Sequence, residues 1–352
     1  MPKQTKPLKT KNKKQKKVIK IAINGFGRIG RAAFKSALDN SNVKVVAIND
    51  LTDTKTLAHL LKYDSVYGIY EKEVKSDSKN IIVDGEKFSV LSIKEPEKLP
   101  WKKMEVDVVL ECTGRFVRDA ASKDHLKAGT KKCIISAPAK GRPEVPTYLL
   151  GVNTDKYKGE DLISMASCTT NCITPVAKVI DENFKVKKAY LTTIHSYTST
   201  QNIVDGPHKD LRRARAAAAN LVPTSTGAAI AAAQAYPRLK ERFDGAAVRV
   251  PTICGSLSDL VFEVRTTTTP ARVNSAFKKA ARSRDMKGIL QVTTEPIVSS
   301  DIIKTEASAI VDLNCTQVLG NNLIKVFAWY DNEWAYAKRL VEMAGLVAEK
   351  IK

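Results

Sequence analysis

Long apolar runs are missing from this chain of 352 residues. No stretch approaches the roughly 18 apolar residues of a membrane-spanning helix, and none has the charged-then-apolar pattern of a secretory signal. We therefore expect no membrane span and a cytoplasmic location. A content of 43% apolar and 27% charged residues is typical of globular proteins and excludes disorder of the whole chain, whose length allows about two domains.

Cysteine and histidine are scarce, with six and four residues respectively. Cysteines scattered through a large chain are unlike the dense framework of a small disulfide-stabilised protein, and they fit a reducing compartment. Cys168 and Cys172 stand four residues apart, which leaves a redox pair or half of a metal site open. We expect no metal site, because no second Cys or His pair at zinc spacing accompanies them.

Acidic residues are absent from the first 20 positions, which contain nine lysines in a chain of net charge +21. With almost no apolar residue before Val18, residues 1–17 are predicted to form a disordered, lysine-rich tail. The tail also lacks the Arg and Ser residues of an organelle transit peptide. Contact with nucleic acid or an anionic lipid surface is one interpretation, and a merely solvating tail is the other.

A glycine motif follows the tail. Residues 18–23 have the apolar character of a buried strand, and a helical stretch occupies residues 31–38. Between them stand Gly25, Gly27 and Gly30 in the pattern G-x-G-x-x-G, which permits a tight turn and close backbone approach to a pyrophosphate at the helix N-terminus. This order of elements predicts a dinucleotide-binding site.

An acidic residue completes the motif. A second strand over residues 43–49 is followed by Asp50, twenty residues beyond Gly30. Its carboxylate is placed to accept hydrogen bonds from an adenosine ribose and would repel a 2′-phosphate, so the motif favours NAD over NADP.

Later segments continue the alternation of strands and helices. We predict a helix over residues 54–62, a hairpin around 84–85, and strands over 106–112 and 132–136. The carboxyl ends of parallel strands face the ligand crevice, so Thr113 and Ser136 are candidate cofactor contacts, with ordinary turn residues as an equal alternative.

The second half of the chain has longer, alternating strands, predicted over residues 189–194, 248–253, 259–266 and 323–329. They indicate a mixed or antiparallel sheet. The loop over residues 205–222 carries Arg212, Arg213 and Arg215, which either hold phosphate groups or lie on a solvated face.

These patterns predict an α/β fold with two parts. The first is an N-terminal Rossmann dinucleotide-binding domain at residues 18–167, completed by a C-terminal helix at residues 333–352 that packs back onto it. The second is an α+β catalytic domain at residues 168–332 with a mixed or antiparallel sheet.

Cys168 stands where an apolar strand at residues 161–166 gives way to a helical face. Unpaired N–H groups at a helix N-terminus stabilise a thiolate, so we expect a lowered pKa for this cysteine. Pro175 prefers a first helical turn, which leaves open a helix that begins at Thr174 and a cysteine in the preceding loop.

His195 is the candidate base for this thiol. A helix over residues 168–184 advances about 24 Å and a strand over 187–195 returns about 26 Å, so an antiparallel return brings the imidazole beside Cys168. Free cysteines are often simply buried, and these two residues alone favour the alternative of a packed structural pair.

Six motifs together resemble the phosphorylating glyceraldehyde-3-phosphate dehydrogenase family. They occupy residues 24–31, 166–172, 195–198, 210–217, 223–227 and 329–334, in the family's order and spacing. The resemblance covers residues 18–352. It implies an NAD-binding Rossmann domain, a catalytic domain that begins near Cys168, and a homotetramer with subunit contacts from the loop at residues 197–222.

The resemblance also implies a reaction of glycolysis. Cys168 attacks the aldehyde of glyceraldehyde 3-phosphate, while His195 takes the thiol proton and assists hydride departure toward the nicotinamide. Inorganic phosphate then cleaves the resulting thioester to give 1,3-bisphosphoglycerate.

The implied binding residues form three groups. For the cofactor they are Gly25, Gly27, Arg28, Ile29, Gly30, Asp50, Lys94, Thr113, Ser136 and Asn332, the last matching the ligand of the nicotinamide carboxamide. For the substrate phosphate they are Thr198 and Arg249. For the attacking phosphate they are Ser167, Thr169, Arg213, Thr226 and Gly227.

The chain departs from the family pattern at two positions. Thr200 stands where an acidic residue is frequent, and Gly206 stands where cofactor choice is often determined, although Leu51 and Pro207 resemble NAD-preferring members. An erythrose-4-phosphate dehydrogenase is the alternative enzyme, against which the Tyr-Thr pair after His195 argues. A nucleic-acid or surface-binding role of the basic tail is the alternative outside enzymes.

Overall fold

A computed structural model describes residues 18–351 of the chain, so the tail predicted at residues 1–17 lies outside the described residues. The α-helices of this part are α1 (Arg28–Leu38), α2 (Thr54–Lys62), α3 (Asp124–Lys127), α4 (Cys168–Phe184), α5 (Ala228–Ala235), α6 (Pro270–Ala281) and α7 (Trp334–Ala348). Between residues 18 and 351, none of these helices combines the length and apolar character needed to cross a bilayer.

The N-terminal strands are β1 (Ile19–Asn24), β2 (Val43–Asn49), β3 (Tyr63–Asp64), β4 (Gly68–Ile69), β5 (Val74–Ser76), β6 (Asn80–Val83), β7 (Glu86–Leu91), β8 (Val108–Glu111), β9 (Lys132–Ile135) and β10 (Leu162–Ser164). Eight of them form one sheet in the order β10-β9-β8-β1-β2-β7-β6-β5, and β3 pairs with β4. The strands from β10 to β7 run parallel, whereas β7, β6 and β5 are antiparallel.

A second sheet contains β11 (Val186–Ser196), β12 (Val222–Ser225), β13 (Phe243–Val250), β14 (Ser256–Val264), β15 (Leu290–Thr293), β16 (Ala309–Leu319) and β17 (Leu323–Tyr330). Its order is β12-β13-β11-β14-β17-β16-β15. Most neighbours are antiparallel, but β13 runs parallel to β11 and β15 parallel to β16. The sheet is therefore mixed.

Apolar side chains from both sheets form separate buried cores. One core packs α4, α5 and α6 against the second sheet, and another packs α1 and α7 against the first sheet. Cys168 contacts both cores, which places the start of α4 at their junction. The terminal helix α7 packs on α1 and on strands β1, β8 and β9.

Several predicted boundaries agree with the structure. Most other predicted strands are present with ends shifted by one to three residues, and two elements differ more. The strand at residues 43–49, the helix at 54–62 and the hairpin at 84–85 are confirmed. The first helix begins at Arg28 rather than at residue 31, because Gly27 already has the extended backbone of an N-cap. The strand predicted at 248–253 is β13, which runs from Phe243 to Val250 and contains three small residues, Gly245 to Ala247, that show no apolar alternation.

Candidate active site

Cys168 is the first residue of α4. Ala166, with φ of 52°, turns the chain out of β10, and Ser167 caps the helix by accepting a hydrogen bond from the Thr170 N–H at 3.1 Å. The alternative start at Thr174 is therefore wrong. Pro175 lies inside the helix, where it removes one N–H from the ladder without ending it.

His195 lies beside the thiol near the end of β11. The distance from Cys168 Sγ to His195 Nε2 is 3.5 Å, and the ring is 95% buried. His195 Nδ1 is 2.7 Å from the Ser196 carbonyl oxygen. A general base at this position needs its lone pair on Nε2, directed at the thiol, and therefore its hydrogen on Nδ1, donated to the Ser196 carbonyl. Arg249 Nη1, which can only donate, lies 2.7 Å from the same Nδ1 and opposes this tautomer.

The expected lowering of the Cys168 pKa is wrong for this structure. Burial raises the pKa of the thiol, although the positive charge of Arg249 and hydrogen bonds from Thr169 act in the opposite direction. The helix position is as predicted, but the desolvation cost of the half-buried thiolate outweighs the helix terminus. Burial, followed by the charge of Arg249, lowers the pKa of His195 to about 3, so the imidazole is neutral at ordinary pH.

Two arginines surround this pair. Arg249 Nη1 is 2.7 Å from His195 Nδ1, while the buried Nε of Arg249 has no hydrogen-bond partner within residues 18–351. Burial lowers the pKa of Arg249. Cys168 acts to raise this pKa, and the charge of Arg213 acts to lower it. The guanidinium groups of Arg249 and Arg213, together with the unpaired Nε of Arg249, form a site that an anion would complete.

The remaining candidate phosphate ligands lie on several elements. The Thr198 hydroxyl is 2.9 Å from that of Thr200, and Arg213 Nε donates to the Thr224 hydroxyl at 2.9 Å. Thr226 accepts from the Ala228 N–H at 3.1 Å, in the first turn of α5, for which Gly227 is the N-cap.

Thr169 has a less open position than the resemblance implies. Its side chain is buried, and its hydroxyl is 2.9 Å from that of Tyr330, which is also 2.9 Å from the Thr193 hydroxyl. The Tyr330 ring packs edge-on to His195, with centroids 6.0 Å apart. Tyr330 is a site residue that sequence reasoning missed, and only its place in the last motif signalled it.

A cleft of about 650 Å³ opens at the carboxyl ends of β1, β2 and β8. Its lining includes the candidates Gly25, Gly27, Asp50, Lys94 and Thr113. It also includes Pro96 and Phe116, which sequence reasoning missed because loop residues there follow no periodic pattern.

The glycine turn is built for close approach. A Cβ on Gly30 would lie 2.1 Å from the Gly25 carbonyl oxygen, so no side chain fits there, and Gly25 has a φ of 91°. A Cβ on Gly27 would meet nothing within 4 Å. The first intrahelical donor of α1 is the Arg31 N–H, so the N–H groups of Arg28, Ile29 and Gly30 have no intrahelical acceptor and can bind an anion.

Arg28 has a different role from a direct pyrophosphate ligand. Its guanidinium forms ion pairs with Glu333 and, at 2.6 Å, with Asp64. Burial acts to lower the pKa of Arg28, but these two carboxylates outweigh it and raise the pKa. The side chain thus ties α1 to the start of α7, and its backbone N–H is the group that remains for a ligand.

Asp50 and Asn332 are fixed by backbone contacts. Asp50 accepts from the N–H groups of Phe26 at 2.7 Å and Thr52 at 3.0 Å. Asn332 Oδ1 accepts from the Ser256 hydroxyl at 2.9 Å and the Gly255 N–H at 3.2 Å. These bonds occupy the Asn332 oxygen and leave its amide N–H groups as donors toward a ligand.

Ser136 and Asn332 lie outside the lining of the cleft. Ser136 follows β9 and its N–H donates to the Glu111 carbonyl at 3.0 Å. The structure therefore brings Gly25, Gly27, Asp50, Lys94 and Thr113 together in one cleft. The other five cofactor candidates lie outside its lining: Arg28, Ile29 and Gly30 in the first turn of α1, Ser136 after β9 and Asn332 after β17.

Comparison with known proteins matches both halves of the chain to one family. Residues 19–119 match the NAD binding domain of glyceraldehyde 3-phosphate dehydrogenase, and residues 167–332 match its C-terminal domain. The chain is 51% identical over 333 residues to glyceraldehyde-3-phosphate dehydrogenase 1 of Bacillus cereus, covering 94% of this chain and 99% of that protein. With the same coverage, it is 50% identical to glyceraldehyde-3-phosphate dehydrogenase 1 of Bacillus subtilis (strain 168) and 49% identical to the enzyme of Geobacillus stearothermophilus.

Proposed function

The chain belongs to the glyceraldehyde-3-phosphate dehydrogenase family, and on that premise we propose how its residues divide the work of the reaction. It is an NAD-dependent glycolytic dehydrogenase that converts glyceraldehyde 3-phosphate to 1,3-bisphosphoglycerate. The distance of 3.5 Å between Cys168 Sγ and His195 Nε2 is the observation that carries the assignment of the chemistry. Erythrose-4-phosphate dehydrogenase is not favoured, since the relatives compared above are glyceraldehyde-3-phosphate dehydrogenases.

The cleft suits NAD in shape and donors. Open space at Gly27, the N–H groups of Arg28 and Ile29 in the first turn of α1, and the Asp50 carboxylate match a pyrophosphate and a ribose. We assign the cofactor to Gly25, Gly27, Arg28, Ile29, Gly30, Asp50, Lys94, Thr113, Ser136 and Asn332. When bound, NAD accepts a hydride from the substrate carbon.

Cys168 acts first. Its sulfur attacks the aldehyde carbon while the thiol proton passes to His195 Nε2, so a C–S bond forms and the carbonyl becomes a tetrahedral oxyanion. Backbone N–H groups at the start of α4 and the protonated His195 stabilise this oxyanion. Loss of the hydride then leaves a thioester on Cys168.

Inorganic phosphate completes the cycle. Its oxygen attacks the thioester carbon, the C–S bond breaks, and the leaving thiolate takes back the proton held by His195, which restores the thiol and the neutral imidazole. We assign Thr198 and Arg249 to the substrate phosphate, a role supported by the buried, unpaired Nε of Arg249. For the attacking phosphate the assigned residues are Ser167, Thr169, Arg213, Thr226 and Gly227.

An NAD reduction assay with glyceraldehyde 3-phosphate tests the function. We expect steady turnover only with inorganic phosphate, and a lower kcat/KM with erythrose 4-phosphate. His195→Asn should slow turnover by roughly 10²- to 10⁴-fold, the range of a lost general base. His59→Asn on α2, an exposed histidine, is the control. Normal turnover in His195→Asn would remove the proposed base.

Assembly and organisation belong to the same proposal. We propose a cytoplasmic homotetramer whose chain divides into an NAD-binding domain at residues 18–167, completed by the C-terminal helix, and a catalytic domain at 168–332. Support for subunit contacts comes from the loop at residues 197–222, where Ile203 and Leu211 are 86% and 81% exposed. Apolar side chains this open to solvent favour a protein interface.

The lysine-rich segment at residues 1–17 adds a second proposed role. Its charge favours contact with nucleic acid or an anionic surface through phosphate groups. A gel shift at several salt concentrations, with the full chain and a chain lacking residues 1–17, tests this role. Binding that is lost with the segment and weakens with salt supports it, while equal binding by both chains contradicts it.

A further inference from the structure

A layer of polar side chains forms the floor of the cofactor cleft, where Asn24 and Asn49 line it, and takes no part in the chemistry described above. It contains the last residues of three neighbouring parallel strands, Asn24 of β1, Asn49 of β2 and Glu111 of β8, which are in register. None of the three is more than 5% exposed. Buried polar groups need hydrogen-bond partners, and the partners here lead to the cleft.

Glu111 is the centre of this layer. Its Oε2 accepts from Asn24 Nδ2 at 2.5 Å and lies 3.0 Å from His125 Nε2. Its Oε1 accepts from the Thr113 N–H at 2.8 Å and also from the Thr113 hydroxyl. Thr113 lines the cleft, and a Cβ on Gly25 would lie only 2.8 Å from its nitrogen. Glu111 therefore holds the cleft wall against the glycine turn.

His125 is fully buried behind Glu111. Trp101 Nε1 donates to His125 Nδ1 at 3.0 Å. Because an indole N–H can only donate, Nδ1 must accept, and the imidazole hydrogen lies on Nε2, directed at the carboxylate. The ring also packs edge-on to Phe116, a second cleft-lining residue, with centroids 6.5 Å apart.

We propose that His125 is a positioning residue for NAD: fixed by Trp101 as a hydrogen donor, it orients Glu111 and thereby Thr113, and it supports Phe116 on the same wall. The inference rests on the proposed assignment of this cleft to NAD. Neither His125 nor Glu111 forms a hydrogen bond with Cys168 or His195, so the effect belongs to cofactor binding. A wall fixed before binding lowers the cost of ordering it around the ligand.

Two variants of His125 separate positioning from mere support. His125→Leu removes the N–H that donates to Glu111. In His125→Gln the side-chain amide nitrogen can occupy the position of Nε2 and restore this hydrogen bond. The measurements are the Kd for NAD⁺ by calorimetry, KM and kcat in the assay above, and the melting temperature, all on the full chain. We expect a Kd about 10-fold higher in the Leu variant, as for a lost hydrogen bond to a charged group, with kcat within about twofold. His125→Gln and the control His59→Gln should stay within about twofold of the parent Kd.

Equal Kd values for the Leu and Gln variants would overturn the proposal. If His125→Leu does not fold, Trp101→Phe decides: it keeps an aromatic ring, removes the donor to Nδ1, and should raise Kd about threefold at unchanged kcat. An unchanged Kd in that variant also overturns the proposal. A parent chain that fails to bind NAD⁺ would contradict the cofactor assignment itself. If the parent binds NAD⁺ and the variants bind it with the same Kd, only the role of His125 is contradicted.

Discussion

Cys168 and Cys172 are separated by one turn of α4, yet their surroundings differ. Cys168 has His195 at hydrogen-bond distance, whereas Cys172 is fully buried with the Ala328 carbonyl 3.9 Å from its sulfur. We predict that Cys168→Ser abolishes phosphate-dependent NAD reduction and keeps NAD⁺ binding, while Cys172→Ser retains substantial activity. Assay and calorimetry on both variants check this, and normal turnover in Cys168→Ser would refute the mechanism.

The positive charge of Arg249 influences the pKa of the Cys168 thiol. Burial raises the pKa of Cys168, and the charge of Arg249 opposes this rise. Removing the cation in Arg249→Gln should therefore raise the pKa further and shift the alkylation of Cys168 to higher pH. Iodoacetamide, which is uncharged, is the reagent, and Arg212→Gln is the control on the nearby loop. A midpoint that stays constant or falls would contradict this reading.

For single residues, the sequence predicted which side chains form the site better than it predicted their pKa values and ion pairs. The pairing of Cys168 with His195 follows from the lengths of one helix and one strand, which are local properties. The pKa of Cys168 and the ion pairs of Arg28 with Asp64 and Glu333 depend on residues distant in the chain, so no local pattern could predict them.

Helix α4 begins at a capped N-terminus that also positions the nucleophile. We predict that Ser167→Ala costs about 1 kcal/mol of stability through the lost cap. It should also reduce kcat/KM, because Cys168 is the next residue. Thr269→Ala removes the matching cap of α6, which accepts from Arg272 N–H, and should cost similar stability without loss of activity. Denaturant unfolding and the assay compare the two; equal loss of activity would point to a global effect.

The end of β2 carries the residue expected to discriminate between cofactors. Asp50→Asn keeps an acceptor for the Phe26 N–H but removes the charge that would face a 2′-phosphate. We predict a rise of roughly 10-fold in kcat/KM for NADP relative to NAD, as expected when a like-charge contact is relieved. Asp155→Asn, on an exposed turn, serves as the control. Equal use of both cofactors by the parent chain would contradict the premise.

Elements with strong periodicity were predictable, and those that depend on packing were not. The parallel strands around the glycine motif were found because each is a short apolar run. β13 was misplaced because Gly245, Ala246 and Ala247 show no alternation, although pairing with β11 makes them a strand. α5 has the same difficulty, since its sequence is nearly all alanine.

Assembly of the whole molecule can be tested at the exposed loop. Replacing Ile203 and Leu211 together by Asp puts charge where a subunit contact is proposed. We predict that light scattering shows a mass below that of a tetramer, because burying unpaired carboxylates is costly. Val298→Asp, at a residue 57% exposed outside this loop, should leave the mass unchanged. A parent chain that is already monomeric would refute the proposed assembly.

The docking of α7 on α1 has a consequence for synthesis. Ribosomes add residues from the N-terminus, so the helix that covers α1 and β1 emerges about 300 residues after them. At 5–20 residues per second, the nascent first sheet waits roughly 15 to 60 s with part of its apolar surface uncovered. During that interval the growing polypeptide is a substrate for chaperones, and nonsense mutations that remove only the last turns of the gene product should yield insoluble protein.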